Sequence, residues 1–235
     1  MATLSGFQLT EYFNLIGTAS VLSANPNFTA DNINSPGGVI TTSCVAAGAL
    51  GAVLTAQGGT SGGKHSLTAV YPAANTLLYT SNFIKFGDQP YLEVDLTMHT
   101  TQPTAIFVGL VDVLPDTTTG ASIPVMPGAY NNARLADMAG FWFEDDANSD
   151  HWCAVYKGSN VDAFYDTSTA AAASGEYKLR IDVDSSRLIT FKINGTTVHQ
   201  SAVPLDDASV FPIITCGGTT NNTLNVSKVT VGKAY

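Results

Sequence analysis

The chain has 235 residues, 45% hydrophobic and only 12% charged, with ten Lys and Arg against nineteen Asp and Glu for a formal net charge of −9. That balance describes a folded chain rather than a disordered one, whose low hydrophobicity and high charge could not offset the entropy of ordering. It also argues against a nucleic-acid partner and a membrane span: no basic cluster is present to neutralise phosphates, and no run approaches the ~18 apolar residues of a membrane helix.

In chain order, MATLSGFQLTEYF lacks the basic start and apolar core of a secretory signal, so synthesis in a cytoplasm is expected. Residues 1–35 are rich in Asn, Ser and Thr and read as either an arm or an extended first strand; residues 36–235 read as one β-sandwich domain. The sequons at Asn27, Asn194, Asn221 and Asn225 are expected by chance in so Thr/Asn-rich a chain. Cys44, Cys153 and Cys216 are too dispersed for a zinc framework or a disulfide scaffold, and read as small buried residues.

Gly59-Thr60-Ser61-Gly62-Gly63 matches G-x-S-x-G, but KHSLTAVYP follows where a nucleophile elbow needs a helix. Gly58 to Lys64 has phosphate-loop spacing, yet His65 stands where Ser or Thr must hold magnesium. A glycine-rich loop is therefore expected.

Leu92, Val94, Leu96 and Met98 alternate with polar residues and predict a half-buried strand over 91–98. Ala105 to Leu114 is nearly continuous apolar sequence and predicts a central strand covered on both faces. Asn131 to Gly140 offers at most two helical turns, and Thr167 to Gly175 is too short for a helix. Gly140 to Glu144 and Trp152 to Tyr156 predict strands flanking the acidic turn DDANSD. That turn begins like a calcium loop, but His151 replaces the turn glycine and Lys157 the bidentate glutamate, which leaves a solvated turn or an atypical calcium site. Phe141, Trp142, Phe143, Trp152 and Tyr156 are core residues, or a sugar-stacking platform wherever they point outward. His65, His99, His151 and His199 form no i, i+4 pair and read as surface or turn residues.

Tyr177, Leu179, Ile181 and Val183, then Ile189, Phe191 and Ile193, predict two antiparallel strands. Asn194-Gly195 supplies a type I′ turn into a third strand over 196–201. Val210 to Cys216 precedes a last strand in which Leu224 and Val226 share one parity and Val229 and Val231 the other, which predicts a bulge between them. Short strands without βαβ alternation predict an all-β fold, a two-sheet antiparallel sandwich.

The succession YLEVDLTM, AIFVGLVD, GFWFEDDANSDHWCAVYKG, YKLRIDVDSSRLITFKINGTTV and FPIITCGGTTNNTLNVSKVTV resembles the concanavalin A-like lectin/glucanase jelly roll, in the LamG-like form found in virion structural proteins of tailed bacteriophages. The resemblance covers residues 80–235 and implies a jelly roll. Glucanase relatives carry E-x-D-x-E or E-x-D-x-x-E; here Glu93 and Asp95 are followed by Thr97 and Met98, so the second glutamate is missing by either spacing.

The expected function is a non-enzymatic capsid decoration or cement protein on the virion surface, bound to the major capsid protein and to copies of itself, as a homotrimer. On that reading residues 1–35 contact the shell or a neighbouring subunit. The alternatives are a carbohydrate-binding adhesion module on a tail or head fibre, bound to host surface glycan, and a glycoside hydrolase using Glu93 and Asp95. No catalytic, metal or cofactor residue is nominated, and no cofactor is expected.

Overall fold

The computed structural model describes residues 7–12, 28–33, 39–42, 52–56, 63–69, 84–98, 105–112, 135–144, 150–218 and 222–233. They form two eight-stranded antiparallel sheets. The first sheet runs β14 (Thr196–Gln200), β13 (Ile189–Ile193), β12 (Glu176–Val183), β7 (Pro90–Met98), β16 (Asn222–Lys233), β4 (Ala52–Ala56) and β3 (Val39–Thr42), with β1 (Phe7–Tyr12) also on β16. The second runs β11 (Val161–Ala170), β10 (His151–Gly158), β9 (Met138–Glu144), β8 (Ala105–Val111), β15 (Ser209–Gly218), β5 (Gly63–Ala69) and β2 (Phe28–Ile33), with β6 (Ile84–Lys85) also on β15.

The two sheets share one plan. One edge of β16 pairs with β7, while its other edge is divided between β4, at Asn222 to Val226, and β1, at Lys228 to Lys233. β15 likewise pairs with β8 on one side and with β6 and β5 in succession on the other. The stretch over residues 1–35 thus places one strand in each sheet, β1 against β16 and β2 against β5.

Alternation explains the first sheet. Leu92, Val94, Leu96 and Met98 of β7 enter the core between the sheets, with Leu179, Ile181 and Val183 of β12 and Ile189, Phe191 and Ile193 of β13. The expected bulge lies between Val226 and Lys228 of β16. The extra residue flips parity once, so Leu224, Val226, Val229 and Val231 all reach the core, and Ser227 Oγ donates to the Asp95 carbonyl at 3.2 Å. At the β13–β14 turn, Asn194 (φ 51°) and Gly195 (φ 83°) take the two left-handed positions that a type I′ turn requires.

The centre of the second sheet, β8 to β10, is apolar on both faces. Ile106, Val108 and Leu110 of β8 face the core, while Phe107 and Val111 join Leu135, Met138, Trp142, Cys153, Val155 and Ile213 in a second cluster on the opposite side. Gly109 and Gly140 are direct partners across β8 and β9, and the Phe107 ring occupies the room their missing side chains leave. β8 is therefore the doubly covered strand expected of its unbroken apolar run, over Ala105–Val111.

Candidate functional site

The outward face of the first sheet carries the strand that the glucanase resemblance singles out. Side chains of Glu93, Asp95 and Thr97 leave β7 on the side away from the core, flanked by β12 and β16. Glu93 is only 15% exposed and is ringed by three cations: Arg180 Nη1 at 3.2 Å, Lys228 Nζ at 3.2 Å and Lys178 Nζ at 3.8 Å. Lys178 also lies 3.8 Å from Asp95, whose Oδ1 is buried without a hydrogen-bond partner among the described residues. Arg180 continues the row to Asp182 (2.7 Å), which Lys192 also holds at 2.9 Å, and the Arg180 guanidinium sits 4.7 Å over the Tyr91 ring.

Burial alone would push the Glu93 carboxyl upward, but the hydrogen bonds from Lys228 and Arg180 and the charge of Lys178 outweigh it and hold the group below its ordinary value. Asp182 follows the same pattern: burial opposes ionisation, and Arg180 and Lys192 overcome it. The face is a ladder of ionised pairs. Glucanase-type catalysis requires two carboxyls, one of them kept protonated to serve as acid, and here the position two residues beyond Asp95 is a threonine.

The aromatic residues singled out as a stacking platform are all inside. Phe141, Trp142, Phe143, Trp152 and Tyr156 are at most 6% exposed. Alternation does put Trp142 on the face opposite Phe141 and Phe143, but both faces of this sheet are covered, so parity does not translate into exposure. The exposed large hydrophobics among the described residues are Phe164 and Tyr165, adjacent on the edge strand β11, at 41% and 46%. Phe164 meets the Trp142 ring edge-on at 5.3 Å on the outer side, and Tyr165 stacks on His199. Neither residue was nominated from the sequence.

No group of three or more His, Cys, Asp or Glu with metal-binding geometry occurs among the described residues. Residues 145–149 of the acidic turn lie outside them, and of its flanks Glu144 is buried while Asp150 takes φ 59°. His151 Nδ1 is instead 3.0 Å from Asp166 on β11. Ser61 and residues 57–62 lie outside the described set as well; Gly63, Lys64 and His65 begin β5, so a strand follows the glycine-rich segment. Cys153 is buried, as expected of a small apolar residue, and its thiol donates to the His151 carbonyl at 3.7 Å.

A separate acidic corner is formed by Asp112, Asp137 and Asp206. Asp206 accepts from the Ser159 backbone N–H at 2.6 Å and from its hydroxyl at 2.9 Å, which keeps its carboxyl low. Burial, then the charges of Asp206 and Asp112, raise Asp137 to about 6. The corner is anionic and its two neighbouring carboxyls, Asp137 and Asp206, are shifted in opposite directions.

No protein-family model matches the sequence, and no curated protein matches it significantly. Solved structures do match. The carbohydrate recognition domain of Emp47p superposes with a TM-score of 0.59 at 12% identity, covering 97% of this chain and 95% of that one. A β-1,3-glucanase from Mycobacterium marinum gives 0.59 at 10% identity, covering 95% and 97%. The Bacillus licheniformis β-glucanase gives 0.54 at 10% identity, covering 95% and 97%. At such identity the likeness is one of fold, and the fold is the concanavalin A-like lectin/glucanase jelly roll, which sugar-binding domains and glycoside hydrolases both use.

Proposed function

We propose that this chain works by binding and assembly rather than by catalysis, as a bacteriophage virion protein that decorates the outside of the head shell and cements it. Its partners on this reading are the major capsid protein and further copies of itself, arranged as a trimer, after synthesis in the bacterial cytoplasm. The observation that carries the non-catalytic half is the state of Glu93. Three cations hold it ionised, and Thr97 replaces the carboxylate with which it would share the chemistry. The virion half is supported by the resemblance of residues 80–235 to LamG-like phage structural proteins.

Quantitative mass spectrometry of purified virions tests it. A copy number comparable with that of the major capsid protein is expected, and absence from particles would overturn the assignment. Hydrolysis of a mixed-linkage β-glucan by the wild-type chain, lost in Glu93→Gln, would overturn the non-catalytic half.

A second reading, a carbohydrate-binding adhesion module on a tail or head fibre, is favoured by the solvent-facing Tyr165 ring stacked on His199. Glycan binding by the isolated protein, combined with only a handful of copies per particle, would select it over the cement role.

A further inference from the structure

At one edge of the sandwich β11 ends the second sheet and β14 ends the first, and the two strands meet. Tyr165 of β11 stacks on His199 of β14 with ring centroids 4.1 Å apart and planes 22° from parallel. His199 stacks in turn on Tyr156 of β10 at 5.7 Å and 26°, with its Nε2 3.4 Å from the Tyr156 hydroxyl. Tyr156 then meets Phe191 in the core at 6.0 Å. Three rings stand in file from core to solvent, the first buried, the second half-buried and the third 46% exposed. Burial lowers the His199 imidazole below its ordinary value, which favours the neutral ring.

A ring fixed on one face by a neighbour has already lost most of its freedom, and a flat apolar group settling on its other face orders little more. The size of the exposed surface limits the ligand. Phe164 and Tyr165 stand on opposite faces of β11, so they do not merge into one patch, and a single ring falls far short of the roughly 800 Å² per partner of a stable protein interface. One ring does match one pyranose, whose C–H face stacks while its hydroxyls remain at the rim. A net charge of −9 disfavours acidic sugars.

We propose that Tyr165, backed by His199, is the stacking platform of a binding site for neutral glycans. The proposal rests on the carbohydrate-binding reading and names its site. One ring supports an affinity of only about millimolar, so useful binding comes from many copies displayed together.

The test applies the full chain, biotinylated and tetramerised on streptavidin, to an array of neutral and sialylated oligosaccharides. Wild type is expected to bind neutral members and to leave sialylated ones. Tyr165→Ala should reduce the signal by about tenfold or more, as loss of a central aromatic anchor does. Tyr165→Phe, which keeps the ring, and Phe164→Ala, on the opposite face, should stay within about threefold of wild type. Titration of the bound oligosaccharide into wild type should shift the His199 ring resonances, a readout that needs no variant. Neutral-glycan binding that persists in Tyr165→Ala, with the His199 resonances unmoved, would overturn the site and leave the carbohydrate reading standing. No binding to any neutral glycan would overturn both.

Discussion

Replacing Gly140 with alanine tests the packing of the second sheet where it is tightest. Gly140 and Gly109 face each other across β8 and β9, and the fully buried Phe107 lies against both. A Cβ on Gly109 would stand 2.6 Å from Phe107 Cζ, and one on Gly140 would overlap two ring carbons, Cε2 and Cζ, at closer range still. Carbon atoms pack at about 3.5–4.0 Å, so the ring would have to retreat by about 1 Å into a cluster that includes Trp142 and Val155. Overpacking of this kind costs about 2 kcal/mol, or a fall in Tm of about 4–8 °C for a chain of this size. Urea unfolding followed by far-UV circular dichroism and tryptophan fluorescence gives the value, with an unchanged slope expected. Adding Phe107→Leu, which shortens the ring's reach, should recover about 1 kcal/mol relative to additivity. A midpoint for Gly140→Ala equal to wild type, or strict additivity in the double variant, would refute the idea that the two glycines exist to seat Phe107.

Glu93→Gln removes the charge that Arg180, Lys228 and Lys178 share and should cost about 1 kcal/mol, since Arg180 keeps Asp182 and Lys178 keeps Asp95. If stability is unchanged in low-salt urea titrations, the ladder is not cohesive. The folded state raises Asp137 to about 6, above the ordinary carboxyl value, so it takes up that proton more readily than the unfolded chain; stability should rise as pH falls from about 7 to 5. At face value that shift is worth about 3 kcal/mol, and screening by solvent reduces it to about 1 kcal/mol, which Asp137→Asn should deliver at pH 7 while flattening that limb. Glu93 and Asp182 act with the opposite sign. Their lowered values mean that stability present above about pH 4.5 is lost as pH falls further, so the profile should turn over below that point. Gly195→Ala meets no steric neighbour but must hold φ 83°, and should cost about 1 kcal/mol of equilibrium stability through backbone strain alone.

The legible parts of the fold were those where one face is buried and one is wet. β7, β12 and β13 announced themselves by period-two alternation, Asn194-Gly195 by its tolerance of positive φ, and the β16 bulge by a single change of parity. Alternation carried no information about exposure in β9 and β10, because a second apolar cluster covers their outer face and buries Trp142 there. The candidate site was the least legible. Arg180 and Lys228 lie 87 and 135 residues from Glu93, a relation created only by register across β12, β7 and β16. Phe164 and Tyr165 sit in an edge strand that is exposed through most of its length and lacks the alternation that marked β7 and β12.

The shared plan of β15 and β16 bears on how the molecule comes into being. Without them the first sheet separates into the β7–β12–β13–β14 ribbon and the β3–β4 hairpin with β1 adrift, and the second into β8–β9–β10–β11 and the β2–β5 pair with β6 adrift. Each of these two strands is a zip that stitches early sequence to late, and both leave the ribosome after every other described strand. Until they emerge, the first 69 residues have no sheet to join, and loops spanning most of the chain must close at the last moment. Neither sheet can therefore close before residue 209 is made, and a product stopped there holds only fragments of two sheets.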